Sequence, residues 1–308
     1  MRHESDPGLI QERPSPAWMA QRERGQQVSI RTFAWIALAL GRRVTRLLLH
    51  PIAGYFVLFS VRARAASRKY LRRALEREPR LSDVYRHYHT FAATLLDRIY
   101  LLDGQYGRFE VRTFNENIVR EMLDRGQGGF LLGAHMGSFE VVRTLGREVG
   151  KLKVRMVMYE ETTKKLNDAL EAINPALADD VIGLGRVDSM LRVERALANG
   201  EFVGILADRT IQDTGTMPVS FLGAPAQVPL GPFRIAAIMK RPVVLMLGLY
   251  RGGNRYDIHF EYLLDVSDAG RDARDAVIEQ AVRKYVERLE HYCRLAPYNW
   301  FNFYDYWH

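Results

Sequence analysis

Residues 128–140 read Gly128-Gly-Phe-Leu-Leu-Gly-Ala-His135-Met-Gly137-Ser138-Phe-Glu140. The apolar run between glycines predicts a short buried strand over 129–134. Ser138 has the side chain of a helix N-cap and Gly150 stands at a natural stop, so a helix over 138–150 follows. Between them lies a tight turn at Met136-Gly137. Strand, turn and helix in that order form the repeating unit of an α/β fold with a mostly parallel sheet.

The alternation continues downstream. Strands are predicted at 154–159, 181–184, 202–207, 243–250 and 256–263. Helices are predicted at 163–174, stopped by Pro175, and at 188–199, 232–240 and 273–294. A Gly/Pro-rich loop connects residue 208 to the helix at 232. Upstream the period changes. Val84, Tyr88, Phe91, Leu95 and Ile99 recur at spacings of three and four, and 31–103 reads as helical. The first 27 residues carry Pro7, Pro14, Pro16 and many charges, and are expected to be a mobile tail. Three parts are expected: a tail (1–27), a helical region (28–104) and an α/β region (105–308).

Charge locates one function. The chain has a net charge of +8. Between Arg22 and Arg80 stand fourteen Lys and Arg against three Glu, an excess larger than that net charge, so the rest is near neutral. This basic segment is interleaved with apolar runs at 33–40 and 44–59, the second interrupted by Arg46 and His50-Pro51. Neither run reaches the ~20 clean apolar residues of a spanning helix. Neither has the cleavage site of a secretory signal. Greasy faces flanked by arginine suit helices lying in a bilayer interface against anionic lipid. Nucleic acid is ranked low as a partner, because the basic residues alternate with aliphatic runs and not with an aromatic stacking platform.

In open α/β sheets, ligands bind beyond the carboxyl ends of the strands. Two strands here end in charged groups: one gives His135, the other Asp208-Arg209. Glu140 falls in the first turn of the helix after His135. A carboxylate at that spacing can accept the Nδ1 proton, fix the tautomer and leave Nε2 free as a base. Backbone N–H groups at Gly137 and Ser138 face the helix start, where they can bind a phosphate or steady an oxyanion. The spacing alone is unspecific, since roughly one His-x4-acid match is expected by chance in a chain of this composition. At this level two readings stay open: a catalytic pair, or a histidine satisfied in a turn with Glu140 as a helix-terminal charge.

Other chemistries lack their motifs. The chain has no Gly-x-Ser-x-Gly elbow, no Walker loop and no Cys/His zinc cluster. Gly183-Leu-Gly185 is not followed by the third glycine of a dinucleotide fingerprint. His87 and His89 sit two apart on a helix and face different ways, which disfavours a metal pair. The one cysteine, Cys293, rules out a disulfide framework and suits a reducing compartment.

Residues 128–140 resemble the first sequence block of the lipid A biosynthesis (lauroyl/myristoyl) acyltransferase family, which is related to the glycerolipid acyltransferases. A second block matches at Leu191-Arg-Val-Glu-Arg-Ala-Leu-Ala-Asn-Gly-Glu-Phe-Val-Gly-Ile-Leu-Ala-Asp208, and a third at Phe221-Leu-Gly-Ala-Pro-Ala-Gln-Val-Pro-Leu-Gly-Pro232. The resemblance implies transfer of an acyl chain from an acyl carrier protein, or from coenzyme A, to a hydroxyl or amine of an amphiphilic lipid. It implies no cofactor and no metal. It places the chain on the cytoplasmic face of a bacterial inner membrane, peripheral or monotopic. By the same resemblance His135 is the general base, Glu140 orients it, and Asp208 and Arg209 contact substrate. The family usually has Asp-Gln where this chain has Asp208-Arg209, and an arginine-rich stretch where this chain has Tyr159-Glu-Glu-Thr-Thr-Lys-Lys165. The end, Pro297-Tyr-Asn-Trp-Phe-Asn-Phe-Tyr-Asp-Tyr-Trp307, looks more like that of acyltransferases from aryl-polyene and xanthomonadin-type pigment clusters. The expected role is aryl-polyene or outer-membrane lipid biosynthesis. Alternatives are a late lipid A acyltransferase, a hydrolase using the same histidine, or a non-catalytic membrane-docked lipid-binding protein.

Overall fold

A computed structural model of the chain describes residues 26–150, 152–159, 180–185, 188–209, 215–264 and 274–307. The predicted tail and the predicted helix at 163–174 lie outside them. Three helices come first: α1 (Gln26–Phe59), α2 (Val61–Leu75) and α3 (Leu81–Leu102). Helix α1 breaks at Gly41, which adopts φ 76° and ψ 157°, a conformation open to glycine and closed to most side chains. The break is pinned by side chains. Thr45 Oγ1 donates to the Gly41 carbonyl at 3.0 Å, and Arg42 forks onto buried Asp97 of α3 at 2.8 and 3.0 Å. Between α1 and α2 the axis bends by 96°.

The α/β part runs β1 (Glu110–Phe114), α4 (Glu116–Asp124), β2 (Phe130–Gly133), α5 (Phe139–Gly150), β3 (Val154–Tyr159), β4 (Val181–Leu184), α6 (Ser189–Ala198) and β5 (Phe202–Leu206). Then follow β6 (Thr216–Phe221), β7 (Ala224–Pro229), α7 (Gly231–Ile238), β8 (Val243–Tyr250), β9 (Arg255–Leu264) and α8 (Arg274–Leu295). Seven strands form one sheet in the order β1-β9-β8-β2-β5-β3-β4, parallel at every pairing except β8 with β9. This is the expected α/β architecture. The antiparallel pair follows from its short connection, since only a few residues at Arg251–Asn254 join the two strands and a parallel crossover needs a dozen or more.

The period of two along each central strand sorts its side chains into two core layers. Phe130, Leu132, Val203, Ile205, Leu245 and Leu247 pack on one face with α8, α7 and α2. Leu131, Phe202, Val244 and Met246 pack on the other with α1, α3 and α5. Both faces being covered explains why β2 and β8 read as continuous apolar runs.

The connection predicted as a loop contains an antiparallel hairpin of β6 and β7. Its two turn residues, Leu222 and Gly223, both take positive φ. Such hairpins usually announce themselves with Asn-Gly, and Pro218, Pro225 and Pro229 argue against strands. Packing overrides that local signal: Phe221, Ala224, Ala226 and Val228 are buried in the α8-side core.

Candidate active site

Strands β2 and β5 are neighbours, with Gly133 opposite Leu206. That register carries the chains side by side past the sheet edge, so His135 and Asp208 meet. Nδ1 of His135 donates to Asp208 Oδ1 at 2.8 Å, and the His135 backbone N–H reaches both carboxylate oxygens at 3.1 Å. A carboxylate only accepts here, so Nδ1 carries the proton and Nε2 keeps its lone pair. Among the described residues nothing bonds to Nε2. The His135 side chain is 33% exposed while that of Asp208 is fully buried.

Glu140 is elsewhere. Where the sequence suggests it on Nδ1, the structure places Asp208 there. The Glu140 carboxylate takes the Arg143 Nε–H at 2.6 Å and pairs with Arg98 of α3 at 3.3 Å. Arg143 continues to Asp180 at 3.2 Å, and Asp180 to Arg155 at 3.4 Å. Glu140, Arg143 and Asp180 are all buried. The cause is the helix itself: Arg143 lies one turn from Glu140, on the same face, and competes for its carboxylate.

The N–H groups read as oxyanion donors are also occupied. Gly137 N–H donates to the Asn299 carbonyl at 2.9 Å, and Ser138 N–H to the Gly248 carbonyl at 2.7 Å. The Ser138 hydroxyl caps α5 by accepting from Val141 N–H at 3.4 Å. Gly137 has φ +62°, and a Cβ there would stand 2.0 Å from the Gly248 oxygen. The turn therefore works by close backbone approach, which glycine alone permits. Arg209 is different. Its Nη2 donates to the Phe301 carbonyl at 2.6 Å and its guanidinium lies 5.4 Å over the Tyr304 ring. No other bond holds the guanidinium among the described residues.

Electrostatics follow from these neighbours. Burial lowers the His135 pKa below its ordinary value and Arg209 adds to that, against the raising pull of Asp208. The ring is therefore held as a neutral base at neutral pH. Burial alone would push the Asp208 carboxyl up. His135, Arg209 and the Trp300 N–H together outweigh it and hold Asp208 well below the carboxylate range. The described residues contain no group of three His, Cys, Asp or Glu side chains placed to hold a metal ion.

The C-terminal segment completes the site. Trp300 Nε1 donates to Asp208 Oδ2 at 2.9 Å, and Phe301 N–H donates to the His135 carbonyl at 2.8 Å. Phe301 stands against Phe91 of α3, with ring centroids 5.1 Å apart, and Phe91 in turn meets Phe303 at 5.3 Å. An apolar wall thus adjoins the histidine.

The profile of a family described as bacterial lipid A biosynthesis acyltransferase matches residues 26–308. The chain belongs to this family. It is an acyltransferase of lipid biosynthesis, which takes an acyl donor and a lipid acceptor. No individually curated protein matches it in sequence. Within this acyltransferase, the structure brings His135, Asp208 and Arg209, each legible at a strand end, together with Trp300, Asn299 and Phe301, which the sequence did not single out. The aromatic density of 298–307 was the one available signal, and it did not say which ring would reach the site.

Proposed function

We propose that this acyltransferase moves an acyl chain from the thioester of an acyl carrier protein, or of coenzyme A, to a hydroxyl or amine of an amphiphilic lipid. His135 is the general base and Asp208 its orienting partner. The observation that carries this reading is the 2.8 Å bond from Nδ1 to Asp208, with Nε2 unbonded among the described residues on a partly exposed ring. Nε2 takes the proton of the acceptor as its oxygen or nitrogen attacks the thioester carbon. The carbonyl oxygen gains negative charge, which Arg209 is placed to offset. The C–S bond then breaks and the sulfur leaves as a thiol, receiving the proton from His135. Glu140 supports α5 through Arg143 and Arg98 and takes no proton.

The acceptor class we favour is a lipid anchor or outer-membrane lipid, including the anchor of an aryl-polyene pigment. The resemblance of the segment at 297–307 to the pigment-cluster acyltransferases supports it. Mass spectrometry of lipids from cells with and without this chain tests the reading. One acylated species is expected to disappear and to return with the wild-type gene. An unchanged lipid profile sinks the proposal.

Membrane docking belongs to the same reading, on the cytoplasmic face of a bacterial inner membrane. Among the described residues no single helix is long and apolar enough to cross a bilayer, although the bent pair of α1 and α2 has the combined length and composition of a broken span. Helix α1 exposes Trp35, Leu47, Leu58 and Phe59, at 71%, 67%, 63% and 67%. Arg62, Arg68 and Arg72 line the exposed side of α2 just beyond. Apolar tips beside arginines suit insertion among anionic headgroups. Deleting α1 is a poor test, because Ala37, Leu49 and Ala53 are core residues. The double variant Leu47→Glu, Phe59→Glu changes exposed positions only. Its binding to phosphatidylglycerol vesicles is expected to fall at least tenfold, since each side chain contributes about 1.5–3 kcal/mol when buried. Unchanged co-sedimentation contradicts the docking surface.

A further inference from the structure

Trp300 is 1% exposed, yet its indole N–H is one of the few polar groups that reach the buried carboxylate of Asp208. The other groups there belong to His135 itself. Oδ1 takes Nδ1–H of His135, Oδ2 takes Nε1–H of Trp300, and the His135 backbone N–H reaches both oxygens at 3.1 Å. Among the described residues the indole is the donor that does not belong to His135, so it ties the carboxylate to the aromatic core as well as to the histidine it serves.

Trp300 is itself held on three sides. Its ring meets Tyr70, Phe221 and Tyr306 edge-on, at 4.9, 5.2 and 5.1 Å. Its carbonyl accepts from His87 Nε2 at 2.9 Å, and His87 Nδ1 accepts from the Ser67 hydroxyl at 2.8 Å. A carbonyl cannot donate, so the His87 tautomer is fixed with hydrogen on Nε2. Burial lowers the His87 pKa to about 4, which keeps that ring neutral at physiological pH. The chain of bonds runs from α2 through α3 and the C-terminal segment to the sheet edge.

We propose that Trp300 is a positioning residue for acyl transfer, acting through Asp208 to fix the orientation and basicity of His135. This rests on the reading of His135 and Asp208 as the working pair. The indole N–H draws charge from Asp208 and so limits how strongly Asp208 favours the imidazolium. Without it, Asp208 bonds His135 more strongly and the imidazole becomes a stronger but less well-oriented base.

The test uses full-length protein with carbon-13-labelled histidine. His135 is assigned by the loss of its signal in His135→Ala and titrated by NMR. Acylation rate is measured in parallel, in membranes plus cytosol from cells lacking this chain. In Trp300→Phe, which keeps a buried ring, the His135 pKa is expected to rise by about one unit. The acylation rate is expected to fall about tenfold, with the acid limb of its pH profile moved up by the same amount. In an Asp208→Asn background the further change Trp300→Phe is expected to move neither quantity, because the path runs through the carboxylate. Should Trp300→Phe fail to fold, the sulfur isostere benzothienylalanine at position 300 replaces the N–H alone. Native pKa and rate in a folded variant overturn the proposal, as does an equal effect in the Asp208→Asn background. If instead Asp208→Asn itself leaves the His135 titration unchanged, the pairing of His135 with Asp208 is what fails.

Discussion

Replacing His135 with Ala is expected to lower the acylation rate by about three orders of magnitude and to leave the fold unchanged. The size follows from the role. A positioned general base contributes roughly 10²–10⁴-fold, and Nε2 of His135 is bonded to nothing among the described residues. The fold survives because the bonds that seat the turn are made by backbone. The His135 N–H still reaches Asp208, its carbonyl still accepts from Phe301, and Gly137 still bonds Asn299. Circular dichroism and thermal melting check the fold, and the rate of acylated-lipid formation in a membrane-and-cytosol extract checks the chemistry. A variant within tenfold of wild type removes His135 from the mechanism.

The second large effect separates the two carboxylates. Asp208→Asn is expected to cut the rate by about 10²–10⁴-fold, since an amide either rotates its NH₂ toward Nδ1 and inverts the tautomer or accepts without charge. The pH dependence has a definite sign. Asp208 raises the His135 pKa, while burial and Arg209 lower it. Removing the carboxylate charge therefore lowers that pKa further. The active form is the neutral ring, so the acid limb moves to lower pH even as the plateau falls.

Glu140→Gln behaves in the opposite manner. Its carboxylate bonds buried Arg143 and not His135. Removing one charge from a buried pair costs about 3–5 kcal/mol, because the partner stays desolvated. Arg143 keeps Asp180 at 3.2 Å, which sets the expectation at about 3 kcal/mol, the lower end of that range. A lowered melting temperature with a per-molecule rate within about tenfold of wild type is the expected outcome. Equal kinetic losses in the two variants, with equal stability, refute this division of labour. That outcome would make the acid of the His-x4-Glu spacing a structural anchor and the acid on the distant strand end the chemical partner.

Much of the fold was legible because its signals are local. The apolar run of 130–132, the turn glycine and the capping Ser138 each act within a few residues, and they define β2, the turn and α5 correctly. The hairpin at 216–229 was not legible, because Leu222 takes a conformation that local preference disfavours and burial of Phe221 and Val228 enforces. Gly137 and Ser138 were correctly placed at the helix start, yet their N–H groups were spent on Asn299 and Gly248, strands and loops more than a hundred residues away.

Local patterning is enough to put a histidine at the end of one central strand and an acid at the end of another, each followed by a change of direction. That these two groups meet follows from the packing of the sheet. His135 and Asp208 are 73 positions apart, and Trp300 a further 92 beyond Asp208. The order β8-β2-β5 and the pairing of Gly133 with Leu206 bring them to one point. Strand order is chosen by packing of both sheet faces, which no spacing along the chain records, whereas Glu140 was near His135 in sequence and was claimed by a nearer arginine.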